Sequence, residues 1–292
     1  MAPPLVASAI NTSAPKLDLV AAARPFLKWA GGKSRLIEQY QPFLPAEFQR
    51  YHEPFLGGGA LFFHLAPELH AKGKRAYLSD LNPELINVYR CVRDQVADLI
   101  HQLTIHQQQH SETYYYQVRA AIETEPIVRA ARFIYLNKTC YNGLYRENSK
   151  GQFNVPVGRY KSPKICVPNL LRAASAALQV ADISEHPFTH IAKQAQDSRD
   201  FVYFDPPYHP LSETSKFTAY SRDRFAAEQQ TALRNTIGQL ATKGVQVLAS
   251  NSDCPFIRDL YKDFEIQTIT ATRSINSKAS KRGKITEVLI VV

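Results

Sequence analysis

The chain has 292 residues, 45% of them hydrophobic, which is enough to bury one substantial core with room for a smaller satellite domain. With 35 Lys and Arg against 26 Asp and Glu, the net charge is +9, a balance that favours a polyanionic partner. Cys91, Cys140, Cys166 and Cys254 show none of the spacings of a zinc site or a disulfide framework, and no apolar run reaches the ~18 residues of a membrane span, so a soluble protein of a reducing cytoplasm is expected.

Residues 1–23 mix Ala, Pro and Ser without a period and read as a flexible extension, with structure beginning near Arg24. A Gly-bearing loop follows at 30–33, then a helix from Ser34, a short apolar run ending in the glycines at 57–59, a helix from Ala60, and a strand, RAYLSD, closing at Asp80. This alternation belongs to an α/β fold with a parallel sheet. Residues 85–171 interrupt it with the helical patterns INVYRCVRD, TYYYQVRAAI and IVRAARFIYL, followed by a hairpin rich in Gly, aromatic and basic residues, TCYNGLYRENSKGQFNVPVGRYK. That stretch reads as an inserted, mainly helical domain, so 24–84 and 172–292 together form the principal one. After residue 172 come a buried strand, FVYFD, a helix closing at Gly244, and two more strands, VQVLASNSD and ITEVLIVV.

Asp205-Pro206-Pro207-Tyr208 ends the FVYFD strand, where open α/β sheets gather their ligand-binding loops. An amino group on an aromatic ring is a poor nucleophile because its lone pair is delocalised; accepting its N–H hydrogen bonds localises that pair on nitrogen. The Asp205 carboxylate and the Pro206 carbonyl supply two acceptors, the paired prolines stiffen the turn, and Tyr208 offers a ring on which a flipped base can stack. An isolated Asp-Pro-Pro is also a plain strand-ending turn; the buried strand before it and the segments below favour the chemical reading.

In His52-Glu53-Pro54-Phe55-Leu56-Gly57-Gly58-Gly59, successive glycines let backbone pass close to a ligand, and Asp80, 21 positions after Gly59, suits the ribose hydroxyls of an adenosine cofactor. A nicotinamide fingerprint would need glycine where Phe62 stands, and a P-loop ending in Gly32-Lys33-Ser34 would need it at Leu27. The single tryptophan, Trp29, sits beside Gly31-Gly32 between Lys28 and Lys33. By itself it fits a core position equally well. An aromatic face suits a sulfonium cation and an ammonium suits a carboxylate, so Trp29 and Lys33 fit the two ends of one ligand and Lys28 remains for nucleic acid. The hairpin interleaves basic, amide and aromatic residues, as in a loop that enters a groove and wedges between bases; the same composition also describes a solvated hairpin, and Arg146 and the bulky Leu144 favour the groove.

These four segments, in this order, resemble the Dam-type DNA adenine methyltransferases over about residues 24–292. The resemblance implies a Rossmann-like S-adenosylmethionine-dependent methyltransferase sheet carrying a DNA-recognition domain. It implies transfer of a methyl group from S-adenosylmethionine to the exocyclic amine of adenine in double-stranded DNA, leaving S-adenosylhomocysteine and using no metal. Asp205, Pro206 and Tyr208 correspond to catalytic positions; Trp29, Lys33, Phe55, Gly57, Asp80 and Asp205 to cofactor contacts; Lys28, Tyr141, Asn142, Leu144, Arg146 and Arg159 to DNA contacts. Arg146 matches the arginine that reads guanine and Lys28 the lysine at the base before the target adenine, which makes GATC the favoured site. A monomeric, nucleoid-associated cytoplasmic enzyme without membrane attachment is expected, and the sequence leaves a cognate endonuclease undecided. A cytosine-ring methylase would need a nucleophilic Pro-Cys, whereas only Cys254-Pro255, the reverse order, occurs. The amine of cytosine, adenine in RNA, a glutamine amide, an inactive DNA-binding module and a dinucleotide oxidoreductase stand as alternatives.

Overall fold

Residues 13–210, 225–272 and 284–292 are described by a computed structural model. Strand β4 (Asp200–Phe204) is buried at every position, with Phe201 and Tyr203 in one apolar cluster and Val202 and Phe204 in another. Successive side chains of a strand point to opposite faces, so a strand apolar throughout must be covered on both. The same division holds in β5 (Gln246–Ser252), with Leu248 against Val247 and Ala249, and in β7 (Lys284–Val291), with Leu289 against Val288 and Ile290. With β1 (Arg50–Glu53), β2 (Arg75–Asp80), β3 (Ala181–Glu185) and β6 (Glu265–Thr272), the described strands form one seven-stranded sheet in the order β3-β2-β1-β4-β5-β7-β6. The first five are parallel, as expected of the α/β alternation; β7 runs antiparallel to both β5 and β6.

The two strands not foreseen in the sequence, β3 and β6, are the two edges of this sheet. An edge has one solvated flank, and the short ADISE and the polar-alternating EIQTITAT carry too little apolar signal to announce themselves. The order also creates a crevice: the chain builds outward from β1 through β2 to β3, then returns to build β4 and β5 on the other side, so the carboxyl ends of β1 and β4 adjoin.

Helix α1 (Ser13–Ala21) corrects the reading of residues 1–23 as a flexible extension: it buries Val20 in the main core and packs against α3 (Ala60–Ala71) and α8 (Pro168–Leu178). Residues 1–12 of that extension lie outside the described residues. The helix expected from Ser34 is one turn, α2 (Ile37–Tyr40), giving way to a 3-10 turn at Gln41–Phe43 that holds Pro42. Helix α4 (Pro83–Asp94) starts with Pro at its first position and with Asn82 Oδ1 accepting from the N–H groups of Glu84 (3.0 Å) and Leu85 (3.1 Å). It packs on β2 and β3 and also on α7 (Pro126–Thr139), joining the sheet to the helices α5 (Val96–Gln109), α6 (Glu112–Ala120) and α7. Beyond β3, α9 (Ile191–Gln194), α10 (Ala227–Thr242) and α11 (Pro255–Leu260) contribute Ile191, Leu233, Ile237, Leu240 and Ile257 to the core on the second face.

At the amino ends of β1 and β4, Asp200 is fully buried and accepts from Arg50 Nε (2.6 Å) and Nη2 (2.8 Å) and from His52 Nε2 (2.7 Å). The Arg50 and His52 hydrogen bonds overcome burial and hold the Asp200 carboxyl far below the usual carboxylate range. Asp200→Ala takes the acid from His52 and leaves Arg50, whose side chain is 29% exposed, with Asp197 (3.1 Å) alone, so the cost falls toward the lower end of the roughly 3–5 kcal/mol for removing one partner of a buried pair. Urea unfolding of the variant is expected to show a loss of that order, with methyl transfer per folded molecule unchanged, because the group lies at the far edge of the sheet from the site below.

Candidate active site

Asp205 follows the last residue of β4 and meets its partners from three other segments. Ser250 Oγ on β5 donates to Asp205 Oδ1 at 2.9 Å, and the ammonium of Lys33 lies 3.2 Å from the same oxygen. Lys33 is buried, sits 3.7 Å from Glu287 Oε2 on β7, and lies 4.1 Å above the centre of the Tyr208 ring. The Tyr208 hydroxyl closes this circuit by donating to Glu287 Oε2 at 2.7 Å. Burial raises the Asp205 carboxyl above its ordinary value, opposed by Lys33 and the Ser250 hydrogen bond. The loop itself is clamped: Gln230 Nε2 donates to the Pro207 carbonyl (3.0 Å), Asn251 Nδ2 donates to Gln230 Oε1 (2.9 Å), and Asn251 Oδ1 accepts from the His209 N–H (3.3 Å).

Across the crevice, the turn after β1 carries Gly57 and Gly59 at φ +46° and +63°, a region that disfavours side chains. A Cβ on Gly57 would fall 2.8 Å from the Trp29 indole, so the glycine is what lets Trp29 lie on this turn. Asp80 Oδ2 accepts the Gly57 N–H (3.1 Å), Oδ1 accepts the Asn82 N–H (3.0 Å), and burial raises its carboxyl despite these bonds. Phe55 stacks on Phe188 (5.3 Å between ring centres) and meets Phe225 edge-on (5.5 Å), an aromatic wall at the same end of the sheet.

The hairpin springs from α7. It is tied by bridges between Cys140 and Val157 and between Glu147 and Phe153, and Asn142, at φ +55°, is the one non-glycine described in the left-handed region. Tyr141 and Asn142 are exposed, as are Arg146 and Arg159; Arg146 Nε is steered by Asn154 Oδ1 at 2.7 Å. Leu144, expected to project as a wedge, is half-buried here and packs against the main core. Lys28 lies at the hairpin base, its ammonium on the Lys138 carbonyl (3.1 Å) and 3.9 Å above the Tyr160 ring. Lys33, assigned from sequence to a ligand carboxylate, is found between two protein carboxylates.

Residues 29–275 match the family described as D12 class N6 adenine-specific DNA methyltransferase. The chain belongs to this family. It is 47% identical over 275 residues to a Type II methyltransferase, M1.LlaDCHI, of Lactococcus lactis subsp. cremoris, covering 91% of this chain and 94% of the relative. It is 40% identical to the Type II methyltransferase M.MjaIII of Methanocaldococcus jannaschii (92% and 98% covered) and 36% identical to the DNA adenine methylase of Escherichia coli K12 (91% and 94% covered). A likeness to the rRNA methyltransferase aviRa of Streptomyces viridochromogenes, at 10% identity and TM-score 0.37 over 97% of this chain and 94% of that one, is too slight to carry an argument.

As a D12-class enzyme the protein methylates adenine N6 in DNA and takes its methyl group from S-adenosylmethionine. Sequence reasoning did not single out Ser250, Glu287, Gln230 or Asn251 around the loop, nor Phe188 and Phe225. The available signal was polarity inside apolar strands: Ser250 and Asn251 interrupt VLASNS, and Glu287 is the only acid in KITEVLIV.

Glu53, at the end of β1, is buried, accepts from Tyr51 Oη (2.7 Å) and the Phe62 N–H (3.2 Å), and is pushed up by burial to about 8. The folded protein therefore holds this proton more tightly than the unfolded chain, where the value is 4.5. The resulting stability is complete below the unfolded value and is lost as pH rises through about 8. Glu53→Gln removes the titration, so its melting temperature is expected to decline less than the parent's across this window when both are followed by thermal unfolding.

Proposed function

We propose that this D12-class enzyme methylates the adenine of GATC in duplex DNA, with the Asp205 carboxylate and the Pro206 carbonyl accepting the two N–H bonds of the target amine. The observation that carries the reading is the anchoring of Asp205 by Ser250 and Lys33 on a loop clamped by Gln230 and Asn251, which fixes the acceptors before substrate arrives. Tyr208, adjoining them, offers its ring to the extruded base. The donor set of the crevice fits S-adenosylmethionine: Asp80 as acceptor for ribose hydroxyls, the Phe55 wall for an adenine ring, and the Gly57 turn with Trp29 for close approach of the remainder. When bound, that cofactor supplies an electrophilic sulfonium methyl. Asp205 and Pro206 hold the amine so that its lone pair points along the line of attack; the new N–C bond would replace the methyl–sulfur bond, with the neutral thioether as leaving group, and the amine would then give up one proton to water.

In the same reading, residues 24–84 and 172–292 make the catalytic domain and 85–171 the DNA-recognition domain. Tyr141, Asn142 and Leu144 act at the flipped site, Arg146 reads guanine, Lys28 contacts the base before the adenine and Arg159 the surrounding DNA. The exposure of Tyr141, Asn142, Arg146 and Arg159 on one hairpin supports this, and the net charge of +9 suits a polyanion. No described helix is long and apolar enough to cross a membrane; the reading adds a monomer working at the nucleoid. Two relatives are named Type II methyltransferases, which favours a modification role beside a restriction endonuclease.

Labelled methyl transfer to a duplex with GATC and to a scrambled duplex tests the reading: label is expected in adenine of the first alone. Asp205→Ala is expected to abolish transfer even at saturating cofactor; label spread equally over both duplexes would reject the target, and an active Asp205→Ala the mechanism. Arg146→Ala gives up a bidentate base contact worth about 1–3 kcal/mol, so competition between GATC and a site altered at the guanine is expected to show discrimination reduced by ~5- to 150-fold.

A further inference from the structure

A carboxylate in the interior of an apolar strand needs a reason, because burying an unpaired charge costs several kcal/mol. Glu287 is followed on β7 by Val288, Leu289 and Ile290, all buried, and its side chain is 11% exposed. It faces the site with two partners, the Tyr208 hydroxyl and the Lys33 ammonium. We infer that Glu287 is a positioning residue for methyl transfer: it holds Tyr208 and draws Lys33 partly away from Asp205, so that one oxygen of Asp205 is kept for the target amine.

The geometry supports this in two ways. Ser250 and Lys33 both meet Oδ1 of Asp205, at 2.9 and 3.2 Å, which leaves Oδ2 on the side away from them. Lys33 is shared, with Glu287 0.5 Å farther than Asp205 (3.7 against 3.2 Å), and a cation shared between two acids neutralises each less than one it serves alone. A carboxylate wholly committed to an ammonium is a weak acceptor; one that shares it keeps charge for a third donor. Among the described residues, the titratable groups around Asp205 are Lys33 and Glu287, with Tyr40 from α2, Tyr51 and Glu53 from β1, Tyr203 from β4 and Tyr208 from its own loop. Lys33 is the only cation among them, which makes its division between the two acids decisive.

The inference rests on Asp205 as the amine's acceptor, and the test separates the two. Glu287→Gln keeps an oxygen for the Tyr208 hydroxyl and removes the charge; kcat and KM are measured against pH with S-adenosylmethionine and duplex DNA, and melting temperature alongside. The expected result is a kcat lower by about 10-fold or more with both KM values within about two-fold, and an acid limb of kcat displaced to lower pH, because Asp205 then has Lys33 to itself. Glu287→Asp, which keeps the charge with a shorter reach, is expected to fall between parent and Gln with its acid limb near the parent's, and it serves as the test where the Gln variant does not fold. A parent-like kcat and acid limb in Glu287→Gln (or, where that variant does not fold, a parent-like kcat in Glu287→Asp), or a rise in KM for the cofactor with kcat unchanged, overturns the inference while an inactive Asp205→Ala leaves the acceptor reading standing. An active Asp205→Ala overturns both.

Discussion

The parallel pairing of β1 with β4 is the constraint from which the site follows. Because the two strands run in one direction, with Arg50 beside Asp200 and His52 beside Val202, their carboxyl ends release two loops side by side at one edge of the sheet. One loop carries the glycine turn and the other carries Asp205. At the opposite edge, Arg50, His52 and Asp200 close the strands with a buried, charge-assisted group, so the end without a ligand is locked and the end with polar loops stays open. The antiparallel β7 extends this arrangement by bringing Glu287, opposite Ser252 in register, to the same edge.

That edge collects acids. Glu53, Asp80 and Asp205 are each raised by burial, and Glu287 stands close by, whereas among the described residues Lys33 is the cation paired with Asp205 and Glu287. An assembly of carboxylates in a poorly solvated crevice is costly when ionised and empty, and the cost is relieved by a ligand that brings positive charge. S-adenosylmethionine, a sulfonium, is such a ligand, so the electrostatics of the crevice agree with the family to which the chain belongs. The same surplus of acid explains why Lys33 is held among protein groups: it is the counter-charge that makes the ensemble tolerable before substrate and cofactor arrive.

The parts of this arrangement that could be seen in the sequence are those where local chemistry is self-sufficient. FVYFD announces a strand buried on both faces by being apolar throughout, DPPY announces a stiff polar turn, and glycines at 57–59 announce backbone conformations that other residues disfavour. Elements whose identity depends on neighbours stayed hidden. ADISE becomes a strand because β2 stands beside it, and Ser13–Ala21 becomes a helix where α3 and α8 offer a surface for Val20. Ser250 and Glu287 become site residues only because β5 and β7 bring them within reach of Asp205 and Lys33, a consequence of sheet order that no local pattern encodes. Leu144 shows the converse: bulk on a hairpin suggests a projecting wedge, yet an apolar side chain beside a core packs into it until something draws it out.

One segment belongs to both halves of the molecule. Asn137 on α7 accepts from the Lys28 N–H at 2.8 Å and donates to the Lys28 carbonyl at 2.7 Å and to the Gly143 carbonyl at 3.3 Å, fastening the chain before the Gly-Gly turn to the base of the hairpin. The next residue, Trp29, lies in a stack with Phe133 of α7 and Tyr145 of the hairpin and also lies close to Gly57 and Gly58 of the turn after β1. The fit is close at both ends: a Cβ on Gly143 would meet the Lys28 side chain at 2.6 Å, just as one on Gly57 would meet Trp29 at 2.8 Å. Close-packed contacts of this kind do not absorb displacement; they pass it on. A displacement of the hairpin is therefore passed to Lys28 and Trp29, and through Trp29 to the turn at Gly57 and Gly58.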